Sequence, residues 1–580
     1  MTADRPDTGA ANLAFAGALV DELRARGLAA AYLCPGSRST PLALAVAACG
    51  DLPRAVLVDE RVAAFHALGH ARASGRPVLL VCTSGTAGAN FLPAVAEASQ
   101  SRVPLVVATA DRPPELRAWG APQTMEQRHL YAGFTRHSEE SPCPSEREGE
   151  LDYARALARR AIAAATGPAP GPVHLNLPFR EPLLPASGTP VDARVEPASR
   201  VPLRPVAGPP PSPIDGLPGR GVLVFGPDVH DPALAVAAGS AARARGWPVI
   251  ADPGSGLRAG GGLDDVLVHG ADLMLRVPGL AAELRPDLVV RIGAPPTSAA
   301  VAGWIATHRG AEVWLVDPAD GFRDPQHRAT RSLRMTAAEF CIAAAQGGGR
   351  GDDAWLAGWQ RASGAALAAA DRCLGSAPSS FAPHVARTLW SRLPAGASLY
   401  VANSMPIREV DGYAGPRADE LRVLVNRGVN GIDGLVSSAL GAAAAGGGPV
   451  VLWCGDIALL HDVGGLLAGR VRAADLTIVV TNDDGGGIFE NLAVAQRIPR
   501  ERFEELFAVP HGLDLAALAR GLGWDAVRVD GGDGLAAALD RALAGGRHLI
   551  EVPLDRAANT AFHRAVHSAV ADALRGGAGR

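Results

Sequence analysis

Short apolar runs recur along this chain, and each breaks off at a cluster of Gly, Pro, Ser, Asn or Asp. Residues 31–34 stop at Pro35-Gly36-Ser37-Arg38-Ser39, residues 55–58 at Asp59-Glu60-Arg61, and residues 78–82 at Thr83-Ser84-Gly85-Thr86. Residues 104–108 lead to Asp111-Arg112-Pro113-Pro114, and residues 173–178 close this first set. Runs without polar alternation predict strands buried on both faces, as in parallel sheets covered by helices. Between them lie stretches of helical period: residues 12–26 place Leu13, Phe15, Ala16, Leu19, Val20 and Leu23 on one side.

The pattern returns twice. Strands are predicted at 222–225, 248–251, 288–292 and 313–316, and again at 399–402, 423–425, 450–454, 476–480 and 548–552. The fold class is α/β: three doubly wound domains with mainly parallel sheets. The Pro/Gly-rich stretch from 185 to 219, with Pro209-Pro210-Pro211, reads as a linker. Gly347-Gly348-Gly349-Arg350-Gly351 marks a second break, placing the domains at 1–187, 188–352 and 353–580.

Composition removes several function classes. Lys+Arg 55 nearly balances Asp+Glu 59 and no block of like charge occurs, so neither nucleic acid nor an anionic membrane is an expected partner. The chain contains no Lys, which excludes a pyridoxal-phosphate Schiff base, a P-loop lysine and a lysine nucleophile. Seven Cys are dispersed without a CxxC, as expected of free thiols in a reducing compartment. No run approaches the ~18 apolar residues of a membrane span. Residues 1–6 carry no signal-peptide pattern, so a cytoplasmic location is expected. The His residues lack zinc-ligand spacing.

Chemistry is expected where strands end, because ligands of open α/β sheets bind there. The run 450–454 ends at Gly455-Asp456, and the run 476–480 ends at Asn482-Asp483-Asp484-Gly485-Gly486-Gly487, Asn482 following Asp456 by twenty-six positions. Two carboxylates and a backbone carbonyl near Gly485 are hard oxygen donors, suited to Mg²⁺ shared with a phosphate. Two ordinary Asp/Gly-rich βα turns would read the same. Ser37 and Arg38 precede a helix at 42–48, whose N-terminus favours anions; a simple helix cap is the alternative. Glu60 stands where a strand hands over to a helix, as would a carboxylate that only stabilises the helix dipole. Arg112 and Gln123 lie on loops beyond a strand end. Ser404 and Arg408, four apart, share a helix face. Ile432 is the large apolar residue in the loop Gly431-Ile432-Asp433-Gly434. Gly226-Pro227-Asp228 stands where a dinucleotide fingerprint would follow residues 222–225, so a nicotinamide site is not expected.

Taken in order, Cys34-Pro35-Gly36-Ser37-Arg38-Ser39, Asp59-Glu60-Arg61, Thr83-Ser84-Gly85-Thr86, Thr109-Ala110-Asp111-Arg112-Pro113-Pro114-Glu115-Leu116, Asn403-Ser404, Asn426-Arg427-Gly428 and Gly486-Gly487-Ile488-Phe489 resemble one family. It is the thiamine diphosphate-dependent 2-succinyl-5-enolpyruvyl-6-hydroxy-3-cyclohexene-1-carboxylate synthases of menaquinone biosynthesis. The resemblance implies a transferase joining 2-oxoglutarate to isochorismate with loss of carbon dioxide. It also implies pyrimidine-binding, middle and diphosphate-binding domains in that order. A homodimer or homotetramer is implied, with active sites at subunit interfaces. A carboligase or decarboxylase of the acetolactate synthase type is the nearest rival, sharing Glu60, Asp456 and Asp483.

On this resemblance, Glu60 is the catalytic carboxylate that hydrogen-bonds the aminopyrimidine ring, and Ile432 is the apolar wedge beneath the cofactor. Thr83, Gly85, Asn90, Asn403 and Ile488 are further cofactor contacts. Asp456, Asp483 and Gly485 hold Mg²⁺ or Mn²⁺ with the diphosphate; the family's usual pair is Asn-Asn, where this chain has Asn482-Asp483. Ser404, Arg408 and Arg427 are assigned to the oxoglutarate-derived part, and Ser37, Arg38, Arg112 and Gln123 to isochorismate. Ile488, Phe489 and Leu492 line the substrate space. Some relatives place basic residues in the middle domain after a Gly-Ala pair; here Gly293-Ala294 is followed by Thr297-Ser298-Ala299-Ala300, so that contact is missing or moved.

Overall fold

The structure, a computed structural model, describes residues 7–185, 193, 212–228, 234–319, 321–348, 351–471 and 475–577. Most of the linker expected at 185–219, and part of the glycine run at 347–351, lie outside the described residues. Three sheets form, every strand pair in them parallel, as the apolar runs require. The first comprises β1 (Ala30–Leu33), β2 (Arg54–Val56), β3 (Val78–Cys82), β4 (Leu105–Asp111), β5 (His137–Glu140) and β6 (Pro172–Pro178). The second comprises β7 (Gly221–Phe225), β8 (Val249–Ala251), β9 (Leu288–Ile292), β10 (Glu312–Val316) and β11 (Arg331–Leu333). The third comprises β12 (Ala397–Val401), β13 (Leu421–Val425), β14 (Val450–Gly455), β15 (Leu476–Asn482), β16 (Asp525–Arg528) and β17 (Arg547–Pro553).

Strand order is β2-β1-β3-β4-β6-β5 in the first sheet, β11-β10-β9-β7-β8 in the second and β13-β12-β14-β15-β17-β16 in the third. The central strands β3, β4 and β6 are buried along their whole length. The strands not foreseen from the sequence, β5, β11 and β16, are all at sheet edges. Their sequences, His-Ser-Glu-Glu, Arg-Ser-Leu and Asp-Ala-Val-Arg, are polar because an edge strand is half solvated.

The chain divides into two compact units. One contains residues 1–206, 426–446 and 462–474; the other contains 207–425, 447–461 and 475–580. In the first unit, helix Glu60–Ser74 packs along helix Leu435–Ala445. The contact is backbone to backbone: a Cβ on Gly69 would overlap the Ser438 carbonyl, and one on Gly441 the His66 carbonyl. In the second unit, helix Asp353–Gly375 packs on the middle sheet's side, where Trp355 Nε1–H donates to the Gly221 carbonyl at 2.9 Å. Its Trp355 and Trp359 share a core with Val222, Val224, Val289 and Trp304. No helix of the described residues is long and apolar enough to cross a membrane.

Candidate active site

In the first unit, three loops at strand ends converge. A Cβ on Gly36 would overlap the Thr83 side chain, and the Arg38 N–H donates to Thr83 Oγ1 at 3.3 Å. Gly85, at φ 88°, faces Gln123, whose Nε2 donates to the Ser84 carbonyl at 3.3 Å. Gln123 itself is held at φ 57°, a left-handed conformation that non-glycine residues rarely adopt. Asn90 donates from Nδ2 to the Thr86 carbonyl within its own helical turn. Ser37 is exposed and Thr83 buried.

Residues that the motifs did not single out support these loops. Gln127 Oε1 accepts the Gly85 N–H at 2.8 Å, while its Nε2 donates to the Ala110 carbonyl and Asn176 Oδ1, both at 3.1 Å. Asn176 Nδ2 in turn donates to Asp111 Oδ2 at 2.9 Å. A buried Gln and a buried Asn on strands or next to them are the signal: such groups persist inside only when fully bonded.

Arg38 is buried and already engaged. Its Nη1 donates to the Phe179 carbonyl at 2.8 Å and its Nη2 pairs with Glu181 Oε1 at 2.6 Å; only Nε lacks a partner. It therefore enters the site chiefly as fixed charge. Burial pushes the Arg112 guanidinium down from its ordinary range, and the neighbouring charge of Arg38 pushes it further. The charges of Glu181 and Asp111 oppose this.

Asp59 caps helix Glu60–Ser74, accepting the Arg61 N–H at 2.9 Å, so the capping role falls to Asp59 rather than Glu60. Glu60 is half-buried at the first helical position. Its charge, after burial, helps push up the thiols of Cys34 and Cys82, which places its carboxylate beside the ends of β1 and β3. These two strands flank the point where strand order reverses, the usual ligand crevice.

The loop bearing Ile432 belongs to this same unit, anchored by a buried carboxylate. Glu97 Oε1 accepts the Gly428 N–H at 2.9 Å and Oε2 the Val429 N–H at 2.8 Å; Ser101 and Arg72 complete its shell. Asn426 Nδ2 donates to Ser438 Oγ at 3.1 Å, and Gly434 seats on the Phe65 ring. Asn430, two residues before Ile432, is at φ 60°. Glu97 had no signal in the sequence beyond being an acidic residue in an apolar helix.

In the second unit, the third sheet's strand ends build a carboxylate cluster. Asp456 Oδ1 accepts the Ile457 N–H at 2.7 Å, and Oδ2 accepts the Gly485 N–H at 2.8 Å and His511 Nε2–H at 3.1 Å. The Leu513 N–H donates to His511 Nδ1 at 3.0 Å, so Nε2 carries the proton. Asp484, at φ 55°, accepts the His511 and Gly512 N–H groups at 2.9 and 2.7 Å. Gly485, at φ 136°, leaves no room for a Cβ against the Ala508 carbonyl. Residues 504–512 are thus clasped to the turn; His511 was missed because nothing local marks it.

Asp483 is half-buried in the turn that follows β15. Burial, and then the Asp456 charge, push its carboxyl up to about 7, while burial alone leads the rise at Asp456. Two carboxylates that repel each other in a desolvated turn fit a divalent cation, which lowers both. No group of three or more His, Cys, Asp or Glu among the described residues is placed to hold a metal alone. The donors fit a Mg²⁺ or Mn²⁺ completed by a carbonyl and phosphate oxygens rather than an all-protein cage. The Gly485 carbonyl accepts the Gly487 N–H at 3.0 Å and keeps a second lone pair.

Asn403 is buried at the end of β12, and Ser404 follows at φ 70°. Arg408 donates back to the Ser404 carbonyl. The Arg408 side chain is exposed, with the charges of Arg276, Asp272 and Asp411 acting on it. Asn491 Nδ2 lies 3.7 Å from Met405 Sδ, which brings the turn Gly487–Asn491, with Ile488 and Phe489, to the start of the Arg408 helix. Leu492 follows, exposed. The middle-domain loop has other duties: the Thr297 N–H donates to Asp252 Oδ2 at 2.7 Å and Ser298 Oγ to Asp272 Oδ1 at 2.6 Å. Four residues at or beside predicted site positions, Gln123, Ser404, Asn430 and Asp484, are non-glycines at positive φ, the kind of strain that concentrates at functional sites.

Residues 14–130 match the thiamine pyrophosphate enzyme N-terminal TPP binding domain. Residues 217–401 match the middle domain of thiamine pyrophosphate, and 417–552 the C-terminal TPP binding domain. The fold is similar to that of benzoylformate decarboxylase from Polynucleobacter necessarius, at TM-score 0.66 and 18% identity over 94% of this chain and 99% of that one. Proteins named 2-succinyl-5-enolpyruvyl-6-hydroxy-3-cyclohexene-1-carboxylate synthase are similar over nearly the whole length. The one from Myxococcus xanthus is 41% identical over 97% of this chain and 98% of its own, and that from Geobacillus kaustophilus is 42% identical over 96% and 97%. The one from Chloroflexus aurantiacus is 41% identical over 96% of each chain. With relatives this similar from end to end, the chain belongs to the 2-succinyl-5-enolpyruvyl-6-hydroxy-3-cyclohexene-1-carboxylate synthase family of thiamine pyrophosphate enzymes.

Proposed function

We propose that this enzyme joins 2-oxoglutarate to isochorismate, giving 2-succinyl-5-enolpyruvyl-6-hydroxy-3-cyclohexene-1-carboxylate and carbon dioxide in menaquinone biosynthesis. The observation that carries this reading is similarity over nearly the whole chain to proteins named 2-succinyl-5-enolpyruvyl-6-hydroxy-3-cyclohexene-1-carboxylate synthase. In the reaction the bond from the carboxyl carbon to the keto carbon of 2-oxoglutarate breaks. A new bond forms from that keto carbon to the isochorismate ring, and a proton is taken up. Thiamine diphosphate, when bound, supplies the nucleophilic carbon and the electron sink for decarboxylation.

The chain's residues bind and orient. Asp456, Asp483 and the Gly485 carbonyl hold Mg²⁺ or Mn²⁺ against the diphosphate. Glu60 shares a proton with a pyrimidine ring nitrogen, and Ile432 supports the cofactor from its Glu97-anchored loop. Thr83, Gly85, Asn90, Asn403 and Ile488 complete the cofactor's surroundings. Arg408 and Arg427, with Ser404, pair with the carboxylates of 2-oxoglutarate, where a bidentate guanidinium gives both charge and direction. Ser37, Arg38, Arg112 and Gln123 receive isochorismate, and Ile488, Phe489 and Leu492 exclude water. Domain limits of 1–187, 188–352 and 353–580, a cytoplasmic location, and a homodimer or homotetramer with interface active sites belong to the same reading.

A product assay with thiamine diphosphate, Mg²⁺ and 2-oxoglutarate tests it. Slow carbon dioxide release alone and fast release with isochorismate is the expected result. Turnover of pyruvate, with no response to isochorismate, would favour an acetolactate synthase-type carboligase instead. Sedimentation of the purified enzyme as a monomer at working concentration would remove the interface sites.

A further inference from the structure

Three aspartates stand at the third sheet's strand ends: Asp456, Asp483 and Asp484. Asp484 is engaged by the His511 and Gly512 N–H groups, and Asp456 by Ile457, Gly485 and His511. No side chain among the described residues hydrogen-bonds or ion-pairs with Asp483. A turn so acidic attracts a cation, yet it repels the diphosphate that the cation is meant to share. A positive charge fixed in the protein near Asp483 offsets part of that repulsion.

Arg556 is placed to be that charge. β15 and β17 run side by side, with Asn482 opposite Pro553 and the Leu554 N–H donating to the Asn482 carbonyl at 2.8 Å. This register sets Arg556, which opens the helix Arg556–Gly577, beside the turn that begins at Asp483. Arg556 Nη2 pairs with Glu504 Oε2 at 3.1 Å, from the segment clasped over the same turn. Its side chain is 12% exposed, and its Nε and Nη1 are buried without a hydrogen-bond partner.

We infer that Arg556 is a positioning residue, the counter-charge that lets an Asp483-containing turn hold a divalent cation and a diphosphate together. The inference rests on the assignment of Asp456 and Asp483 to the cation. It differs from a purely structural role in one respect: loss of the charge should move cation and diphosphate affinities in opposite directions.

The test uses full-length protein. Mn²⁺ binding without cofactor is followed by electron paramagnetic resonance, and thiamine diphosphate binding at saturating Mg²⁺ by calorimetry. Arg556→Gln is expected to bind Mn²⁺ about threefold more tightly and thiamine diphosphate about tenfold more weakly. Adding Asp483→Asn to Arg556→Gln is expected to restore most of the lost cofactor affinity, a coupling that additive effects would contradict. Glu504→Gln, which removes the ion pair but keeps the charge, should bind the cofactor no more weakly than the wild type. Should the glutamine variant not fold, Arg556→Lys keeps the charge and must keep both affinities within about threefold, a tenfold loss overturning the inference. Arg556→Gln weakening both ligands or moving neither, or Glu504→Gln reproducing its loss, would also overturn it. If Asp483→Asn alone leaves Mn²⁺ affinity unchanged, the cation assignment itself falls, independently of Arg556.

Discussion

The first and third sheets share one arrangement, β2-β1-β3-β4-β6-β5 against β13-β12-β14-β15-β17-β16, each strand shifted by eleven places in chain order. Equivalent strand ends carry different chemistry. Ser37 and Arg38 follow β1, and Ser404 and Arg408 follow β12, so both sheets carry a hydroxyl and a guanidinium after their first strand. After β2 stands Glu60, and after β13 the loop with Ile432. After β3 come the small residues Thr83, Ser84 and Gly85, and after β14 the Asp456 carboxylate. After β4 comes Arg112, and after β15 the Asp483 turn. On the proposed reading, one scaffold presents a proton-sharing carboxylate in the first sheet and a cation-binding pair of carboxylates in the third. Function has diverged at the turns, while the strands that position them have kept their order. The two helices that follow the second strand of each sheet, Glu60–Ser74 and Leu435–Ala445, even pack on each other through Gly69 and Gly441.

The sharpest way to break this contrast is to remove the third sheet's carboxylate. Asp456→Asn should lower Mg²⁺-dependent thiamine diphosphate affinity by about a hundredfold or more, read by calorimetry. Arg408→Ala should raise the KM for 2-oxoglutarate by about 10–100-fold, the loss of a charge-assisted pair, whereas the KM for isochorismate stays near its original value. Equal effects on both substrates would erase the distinction between the paired Ser/Arg positions. Gly441→Ala should destabilise the fold by about 1–3 kcal/mol in chemical denaturation, because the added methyl meets backbone on helix Glu60–Ser74 and not a side chain that can swing away. The smallest effect is pH-dependent. With the Asp483 carboxyl raised from 3.8 to about 7, the native metal-free protein holds a proton that the unfolded chain has released. The contribution of this carboxyl to stability is therefore fully present below 3.8 and is lost as pH rises through about 7. Melting temperatures between pH 5 and 8 should show that fall, and Asp483→Asn should flatten it.

Much of this was legible in the residues themselves. Buried strands such as Val78–Cys82 and Leu288–Ile292 announce themselves, because a strand covered on both faces tolerates no polar alternation. Their glycine-, aspartate- and serine-rich ends marked the candidate turns for the same reason: strand-end loops must bend tightly and face the crevice. The edge strands β5, β11 and β16 were hidden by their polarity. Gln127, Asn176, Glu97, His511 and Arg556 could not be read either. Each acts through a partner distant in sequence, such as Gly85 for Gln127 or Gly428 for Glu97, and a polar residue without local pattern carries no trace of such a partner. The engagement of Arg38 by Phe179 and Glu181 is of the same kind.

In the proposed reaction, the first sheet's Glu60 works the pyrimidine ring while the third sheet's Asp456 and Asp483 anchor the diphosphate. Exchange of the thiazolium C2 proton for deuterium, measured by quenched-flow NMR on Glu60→Gln with calorimetry on the same sample, tests it most directly. The account predicts cofactor affinity within about tenfold of the wild type and exchange slowed by about 10²–10⁴-fold. Exchange at the wild-type rate in the fully loaded variant would contradict it.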